Sequence, residues 1–405
     1  MNNFTQIIML PNTQKYFVNT LYSPQKHSEF VSGMERTLGC TIPFRVMESP
    51  AFCGHDLKNA IAEAAIALAT ECVTPEYKEQ TKRAIQQQYM VQNEAEHPMF
   101  CVIDFAVSQI EGEYIPKLVE LQGFPSLFGY EYLLSESFKS TYGIGKEFTP
   151  YFSQLNNDEY LHLLHQAIVG DLHPDNVCLL EFDPFNQKTL PDFKATELYT
   201  NVSPTDIREI VKVDNNLFHH RGGAIVPLKR IYNRAIVDEL EENNVTLPFN
   251  WTDTLNVEWA GHPNWYFRMS KYSLPFLKHH SVPKTFFLNS LKEVPTNLND
   301  FVLKPLYAFA GKGVNVNPTT QDIESIPDSE KHNWVLMEKI HYAECLYTPL
   351  GMNKLEIRCM VIWLPDSPTP IPTISLVRSG RGAMMGARFN SIDWTGATLC
   401  FFGDE

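Results

Sequence analysis

Residues 99–128, MFCVIDFAVSQIEGEYIPKLVELQGFPSLF, constrain the fold more than any other stretch of the chain. Two apolar runs flank Glu111-Gly112-Glu113, the pattern of a β-hairpin. Side chains two apart on a strand share a face, so Glu120 and Gln122 belong together. A hairpin centred on Gly112 sets Asp104 directly opposite Glu120 on that face. Opposed carboxylates repel unless a cation lies between them. Two carboxylates and an amide oxygen are hard ligands suited to Mg²⁺ that also holds phosphate oxygens. An exposed polar strand face is the other reading of the same residues.

A second stretch, FVLKPLYAFAGKGV from Phe301 to Val314, is strand-like and then opens into a small-residue loop holding Gly311 and Gly313. Lys304 shares a strand face with Val302 and Leu306. Lysine is seldom buried without an anionic partner. A cation ahead of a loop rich in backbone N–H groups points to a polyphosphate, since such loops form anion-binding concavities. An edge-strand lysine before a turn is the alternative, and Pro305 fits an edge. The Walker pattern is absent: Leu306 stands where its first glycine belongs and Gly313 where it needs Ser or Thr.

Further candidates lie downstream. WVLMEKIHYAE, Trp334 to Glu344, is an apolar strand ending in Glu338-Lys339-Ile340, which offers backbone groups for an adenine edge. Arg358 sits in EIRCMVIW, and Arg378 and Arg381 in LVRSGRG; arginine forks match phosphate and carboxylate geometry. Upstream, GDLHPDN resembles the catalytic loop of aminoglycoside-phosphotransferase-like kinases, with Asp171 as base and Asn176 as metal ligand. No kinase-type Gly-rich loop precedes it, and a polar turn between helix and strand accounts for the same residues.

Composition bounds the rest. A length of 405 residues implies two to three domains. The formal net charge of −14, without any Lys/Arg block, argues against nucleic-acid binding. Eight cysteines include no Cys-x-x-Cys pair, which argues against structural zinc. No basic leader and no run near eighteen apolar residues are present, so the expectation is a cytoplasmic protein with no membrane span.

Along the chain, residues 1–98 read as a helical N-terminal region, with Asp56 capping one helix and Thr74-Pro75-Glu76 starting another that runs to about Gln88. Residues 99–130 hold the metal-binding strands, 131–250 an α/β substrate-side domain, and 251–405 the nucleotide-binding region. Within 131–250, Asn157-Asp158 leads a helix and VCLLEF reads as a buried strand. Ser203-Pro204-Thr205-Asp206 has a helix-start pattern, and Ile231–Glu242 reads as a helix. A further helix, interrupted by Pro275, is expected over Met269–His280.

Taken in order, these motifs resemble the ATP-grasp superfamily in its circularly permuted form, as in glutathionylspermidine synthase-like proteins. VIDF and LVELQGFP come first, whereas VLKPLYAFAGKGV, WVLMEKI and KLEIRCMVIW come last. The resemblance implies an α/β (α+β) fold, an ATP-grasp-like nucleotide domain in permuted order with an inserted substrate domain. It implies an ATP-dependent carboxylate–amine ligase that forms an amide through an acyl phosphate, with ATP and Mg²⁺ as cofactors. The partners would be a small-molecule or peptide carboxylate and an amine. Lys304 would contact the nucleotide phosphates, with Ala310, Gly311, Lys312 and Gly313 covering them. Lys271, in RMSKYSLPFL, resembles the family's earlier nucleotide-contacting lysine. Glu338, Lys339 and Ile340 would meet the adenine and Glu344 the ribose. Asp104, Glu120 and Gln122 would hold Mg²⁺, and Arg358 and Arg378 would stabilise transition-state charge. Gln122 replaces the family's asparagine, and Val102 stands where an arginine is common. A small-molecule kinase and an inactive nucleotide-binding scaffold remain the competing readings.

Overall fold

The computed structural model describes residues 9–307, 311–386 and 389–405. Among these described residues five small to medium sheets are layered with helices in a mixed α/β fold. Eight elements position the site. They are α1 (His55–Glu71), β1 (Phe100–Ile110), β2 (Glu113–Gln122), α2 (Phe128–Tyr142), β3 (Phe301–Pro305), β4 (Trp334–Glu338), β5 (Gly351–Ile362) and β6 (Ile371–Gly380).

The central sheet is antiparallel, in the order Gly396–Thr398, β6, β5, β1, β2, with Glu344–Thr348 added as a hairpin on β5. Both faces are covered. Leu57, Ile61 and Leu68 of α1 pack on Phe105, Ile357 and Val377 on one side. On the other, Tyr160, Leu164 and Ile168 from the helix Asn157–Ile168 pack on Val102, Met360 and Leu376. Burial on both faces explains why β1 and β5 read as continuous apolar runs rather than alternating ones. Polar residues inside such strands must find partners, and at Asp104 and Arg358 they find each other.

A parallel sheet runs Glu258–Ala260, Arg230–Asn233, Val177–Glu181, Pro204–Asp206. A small antiparallel sheet runs Thr285–Phe287, β4, β3. Backbone bonds from Leu118 N–H to the Ser281 carbonyl and from Ala343 N–H to the Val107 carbonyl, at 2.9 and 2.8 Å, tie segments flanking the small sheet to the central one. Near the chain ends, Ala51–Gly54 pairs in parallel with Cys400–Gly403.

Several local expectations change in the folded chain. Ser203-Pro204-Thr205-Asp206 starts no helix, because Pro204–Asp206 adds as a strand beside Val177–Glu181. The capping signal survives one turn later, where Asp206 accepts the Arg208 N–H at 2.9 Å over a single 3₁₀ turn. Ile231–Glu242 splits into the strand Arg230–Asn233 and the helix Val237–Glu242, since Ile231 and Tyr232 are buried between two parallel neighbours. The helix expected over Met269–His280 is instead Pro263–Arg268 followed by a 3₁₀ turn at Lys271–Ser273. Thr74 caps a helix as read, but that helix ends at Thr81. Asp56 lies in the first turn of α1 rather than at its cap. Among the described residues no helix is long and apolar enough to cross a membrane.

Candidate nucleotide and substrate site

The hairpin β1–β2 turns at Glu111-Gly112, where both residues take positive φ. Counting six pairs back from Ile110–Glu113, a regular ladder would set Asp104 against Val119. The register slips by one between the Phe105–Leu118 and Asp104–Glu120 pairs, so Val119 is the extra residue of a β-bulge. The bulge brings Glu120 opposite Asp104. It also leaves the Val119 carbonyl to accept the Lys304 ammonium at 3.3 Å, joining the small sheet to the large one.

Asp104 is buried and carries a dense ion network. β5 pairs with β1 so that Arg358 lies opposite Asp104, and with β6 so that Glu356 lies opposite Arg378. Arg358 donates from Nε and Nη2 to the two Asp104 oxygens at 2.6 and 2.8 Å, a bidentate fork. Arg378 Nη1 donates to Asp104 Oδ2 at 2.9 Å and to Glu356 Oε1 at 2.8 Å. The Tyr342 hydroxyl donates to Glu356 Oε2 at 2.6 Å. Burial alone would push the Asp104 carboxyl up, but the two guanidiniums outweigh it and hold the group far below the usual carboxylate range. Burial raises the pKa of Glu356, with Arg378 opposing. The Arg378 guanidinium is held charged by Asp104 and Glu356 against its own desolvation.

Above this network lies a cavity of about 600 Å³, walled by both sheets. Lys304, Lys271, Glu120, Glu356, Arg358 and Arg378 all line it. Desolvation pushes the Lys304 ammonium down to about 8, with Glu120 pulling it up and Lys271 pressing it further down. Lys271 is also shifted down by burial, opposed by Glu120 and Asp238. The strand end Glu338-Lys339-Ile340 forms another part of the wall, as does Gly311. Lys339 is fixed there by its backbone N–H to the Asp300 carbonyl at 2.7 Å and its ammonium to Asn317 at 2.8 Å.

Other sequence-derived candidates fall outside that wall. Lys312 is exposed and pairs with Glu242 at 3.3 Å. Gly313 is exposed at φ +73°, and a Cβ there would stand 3.0 Å from Pro305 Cγ. Glu344 is exposed at the start of its hairpin strand. Ala310 lies outside the described residues. Asp171 is exposed and the Asn176 amide donates to the Pro227 carbonyl at 2.8 Å, away from both cavities.

The trio Asp104, Glu120 and Gln122 is brought together, but not as an open metal set. Both Asp104 oxygens are taken by arginines, and the Gln122 amide donates to Glu120 Oε1 at 3.2 Å. Of the three, Glu120 alone is a carboxylate facing the large cavity. No group of three or more His, Cys, Asp or Glu side chains suited to a metal ion occurs among the described residues. The residues present therefore do not fit the Mg²⁺ ligand set expected from the sequence.

A second cavity, about 230 Å³, adjoins the first through Glu120, Ser126, Thr189 and Lys271. Gln122, Glu181, Gln187, Arg234, Asp238 and Tyr266 contribute polar groups to it. Arg234 is buried and anchored to Asp192 at 2.7 Å; Asp192 in turn accepts N–H groups of Leu127, Gly129 and Tyr130 at the start of α2. Desolvation pushes the Glu181 carboxyl up to about 8. Sequence reasoning passed over Glu356, Tyr342, Glu181 and Glu131. Strand alternation could have found Glu356, two residues before Arg358 on the same face; the others become neighbours only through tertiary packing.

No family model matches the chain, and no curated protein matches it. Among solved structures, the chain is similar to a glutathione synthetase-like effector (GSS30) from Globodera pallida, solved in its apo form. The TM-score is 0.59 at 13% identity, covering 94% of this chain and 98% of that one. At that identity the likeness shows the fold alone, a mixed α+β arrangement shared with that effector.

Proposed function

We propose that this chain is an ATP-dependent carboxylate–amine ligase with a permuted ATP-grasp arrangement. The observation that carries the reading is the convergence of Lys304 and Lys271 with Arg358 and Arg378 in one cavity, beside the strand end Glu338–Ile340. Cations gathered from two sheets suit a polyphosphate, and the strand end Glu338–Ile340 on the same wall, with Ile340 as an apolar surface, suits a purine.

In this reading the nucleotide lies between the small sheet and the central sheet. Lys304, held by the Val119 carbonyl, and Lys271 orient the phosphates. Arg378, buttressed by Asp104 and Glu356, meets charge that develops on the transferring phosphoryl group. The substrate carboxylate attacks the γ-phosphorus, giving an acyl phosphate and ADP. The amine then attacks the acyl carbon, losing a proton, and inorganic phosphate leaves as the amide forms. The smaller cavity opens onto the same Glu120–Lys271 edge and would hold the organic substrate.

A second reading, nucleotide binding without turnover, is favoured by the engagement of both Asp104 oxygens and by Val102 and Gln122. Screening of carboxylate and amine pairs for ADP release separates the readings. Release that requires both acceptors supports the ligase, and a stable phosphorylated product from one acceptor alone identifies a kinase instead. If calorimetry finds no ATP binding, or equal binding by wild type and Lys304→Met, the site assignment is wrong.

A further inference from the structure

The protein as a whole is acidic, at a formal −14, yet its large cavity is not. Lysines and arginines outnumber glutamates seven to four among the described residues of the wall. Two of those four, Glu131 and Glu356, have their carboxyl pKa raised by burial, which reduces the negative charge they bring. Asp104, beneath the wall, is already spent on Arg358 and Arg378. Glu120 is the remaining carboxylate side chain at the phosphate end, and Arg358 Nη2 stands 3.9 Å from it. Lys304 and Lys271 both feel Glu120 as a neighbouring charge. A divalent cation placed there would meet the Glu120 carboxylate beside two lysine ammonium groups and two guanidiniums whose charge Asp104 partly offsets.

We propose that this cavity binds a nucleoside triphosphate without a protein-held divalent cation, its phosphate charge met directly by Lys271, Lys304, Arg358 and Arg378. The inference rests on the nucleotide reading above and adds how the charge is neutralised. The geometry leaves hydrogen-bonding capacity for it. Arg378 serves both carboxylates through Nη1, and no other bond from its fork occurs among the described residues. Arg358 keeps Nη1 directed at Ser126, 3.4 Å away on the cavity wall. Two forks and two ammonium groups supply the donors that a metal would otherwise replace. Free ATP, carrying more negative charge than its magnesium complex, is the better match to such a wall.

Calorimetric titration of the full chain with ATP, once in excess EDTA and once in excess magnesium chloride, tests this. The expected result is a dissociation constant in EDTA equal to or below that in magnesium. A loss of affinity in EDTA greater than threefold overturns the inference while leaving nucleotide binding intact. Absence of binding in both media overturns the nucleotide reading, and this inference with it. Glu120→Gln gives a second measurement: it should tighten ATP in EDTA by several-fold, whereas a metal-ligand role would weaken binding in magnesium and spare it in EDTA.

Discussion

Replacing Asp104 by Asn probes the centre of the network most directly. The side chain keeps its shape and one carbonyl oxygen but loses its charge. In the native fold Asp104 accepts three charge-assisted bonds at 2.6, 2.8 and 2.9 Å and is the shared counter-ion of Arg358 and Arg378. Arg358 is largely buried, its side chain 5% exposed, so water at the cavity edge replaces little of what the carboxylate supplies. Charge-assisted bonds contribute about 1.5–3 kcal/mol each, but the amide retains part of one. Breaking a buried pair by removing one partner costs about 3–5 kcal/mol, and that range is expected for Asp104→Asn. Arg358→Met should cost a similar amount, and the double variant less than their sum by about 2 kcal/mol, because the two losses describe one interaction. Urea unfolding followed by fluorescence and circular dichroism measures all three. The linkage has a definite sign. A carboxyl whose folded pKa is depressed stabilises above its unfolded pKa and loses that contribution as pH falls through the folded one. Because Asp104 is held far below the usual range, its contribution should be full above the ordinary carboxylate range and decline as pH falls through and below it, where the unfolded chain takes up a proton that the folded group refuses. A cost under about 1 kcal/mol, or strictly additive single variants, would refute the picture of a desolvated, mutually dependent network.

Three further outcomes follow from other sites. Lys304, with its ammonium near 8 in the empty cavity, should take up a proton when phosphate binds. ATP affinity should therefore fall as pH rises through 8, and binding heats at pH 8.5 should differ between buffers of different ionisation enthalpy; identical heats, or a difference that persists in Lys304→Met, contradict this. Glu131 is fully buried with neither carboxyl oxygen bonded, and desolvation raises its pKa well above normal. Its folded pKa exceeds the unfolded one, so stability is full below the unfolded pKa and declines as pH rises towards the folded value. Glu131→Leu should consequently raise the stability, more at pH 8 than at pH 5, by about 1–3 kcal/mol at the higher pH, and with it the Tm; a lower Tm at pH 8 counts against it. Gly123→Ala would place a Cβ 2.4 Å from the Trp265 carbonyl oxygen, and should cost about 1–3 kcal/mol and weaken ATP binding by shifting the segment that carries Lys271.

Much of the fold was legible because its signals are local. The turn at Glu111-Gly112 and the apolar runs beside it specify β1 and β2, and the run with Lys304 specifies β3. The Thr74 cap and a helix led by Asn157-Asp158 also read directly, although its cap in the folded chain is Asn156, with reciprocal bonds to Glu159. Segments that failed did so where tertiary pairing outweighed capping signals. Pro204–Asp206 and Arg230–Asn233 are strands because each completes a parallel sheet whose other strands lie far away in sequence.

The site divides in the same way. Sequence alone determined which residues carry charge inside apolar strands and suggested that Asp104 and Glu120 face each other, although the folded chain reaches that pairing through the bulge at Val119. Local alternation fixes a face, and a buried charge demands a partner. Which partner it takes is a non-local matter. The tertiary structure decided that Asp104 belongs to Arg358 and Arg378, since β1, β5 and β6 become neighbours only in the assembled sheet. It decided too, through one bulged residue at Val119, that Lys304 is tied to the opposite sheet. Register and desolvation, which no short stretch encodes, made Asp104 the anchor of an arginine pair and left Glu120 at the cavity with Gln122 bonded to it.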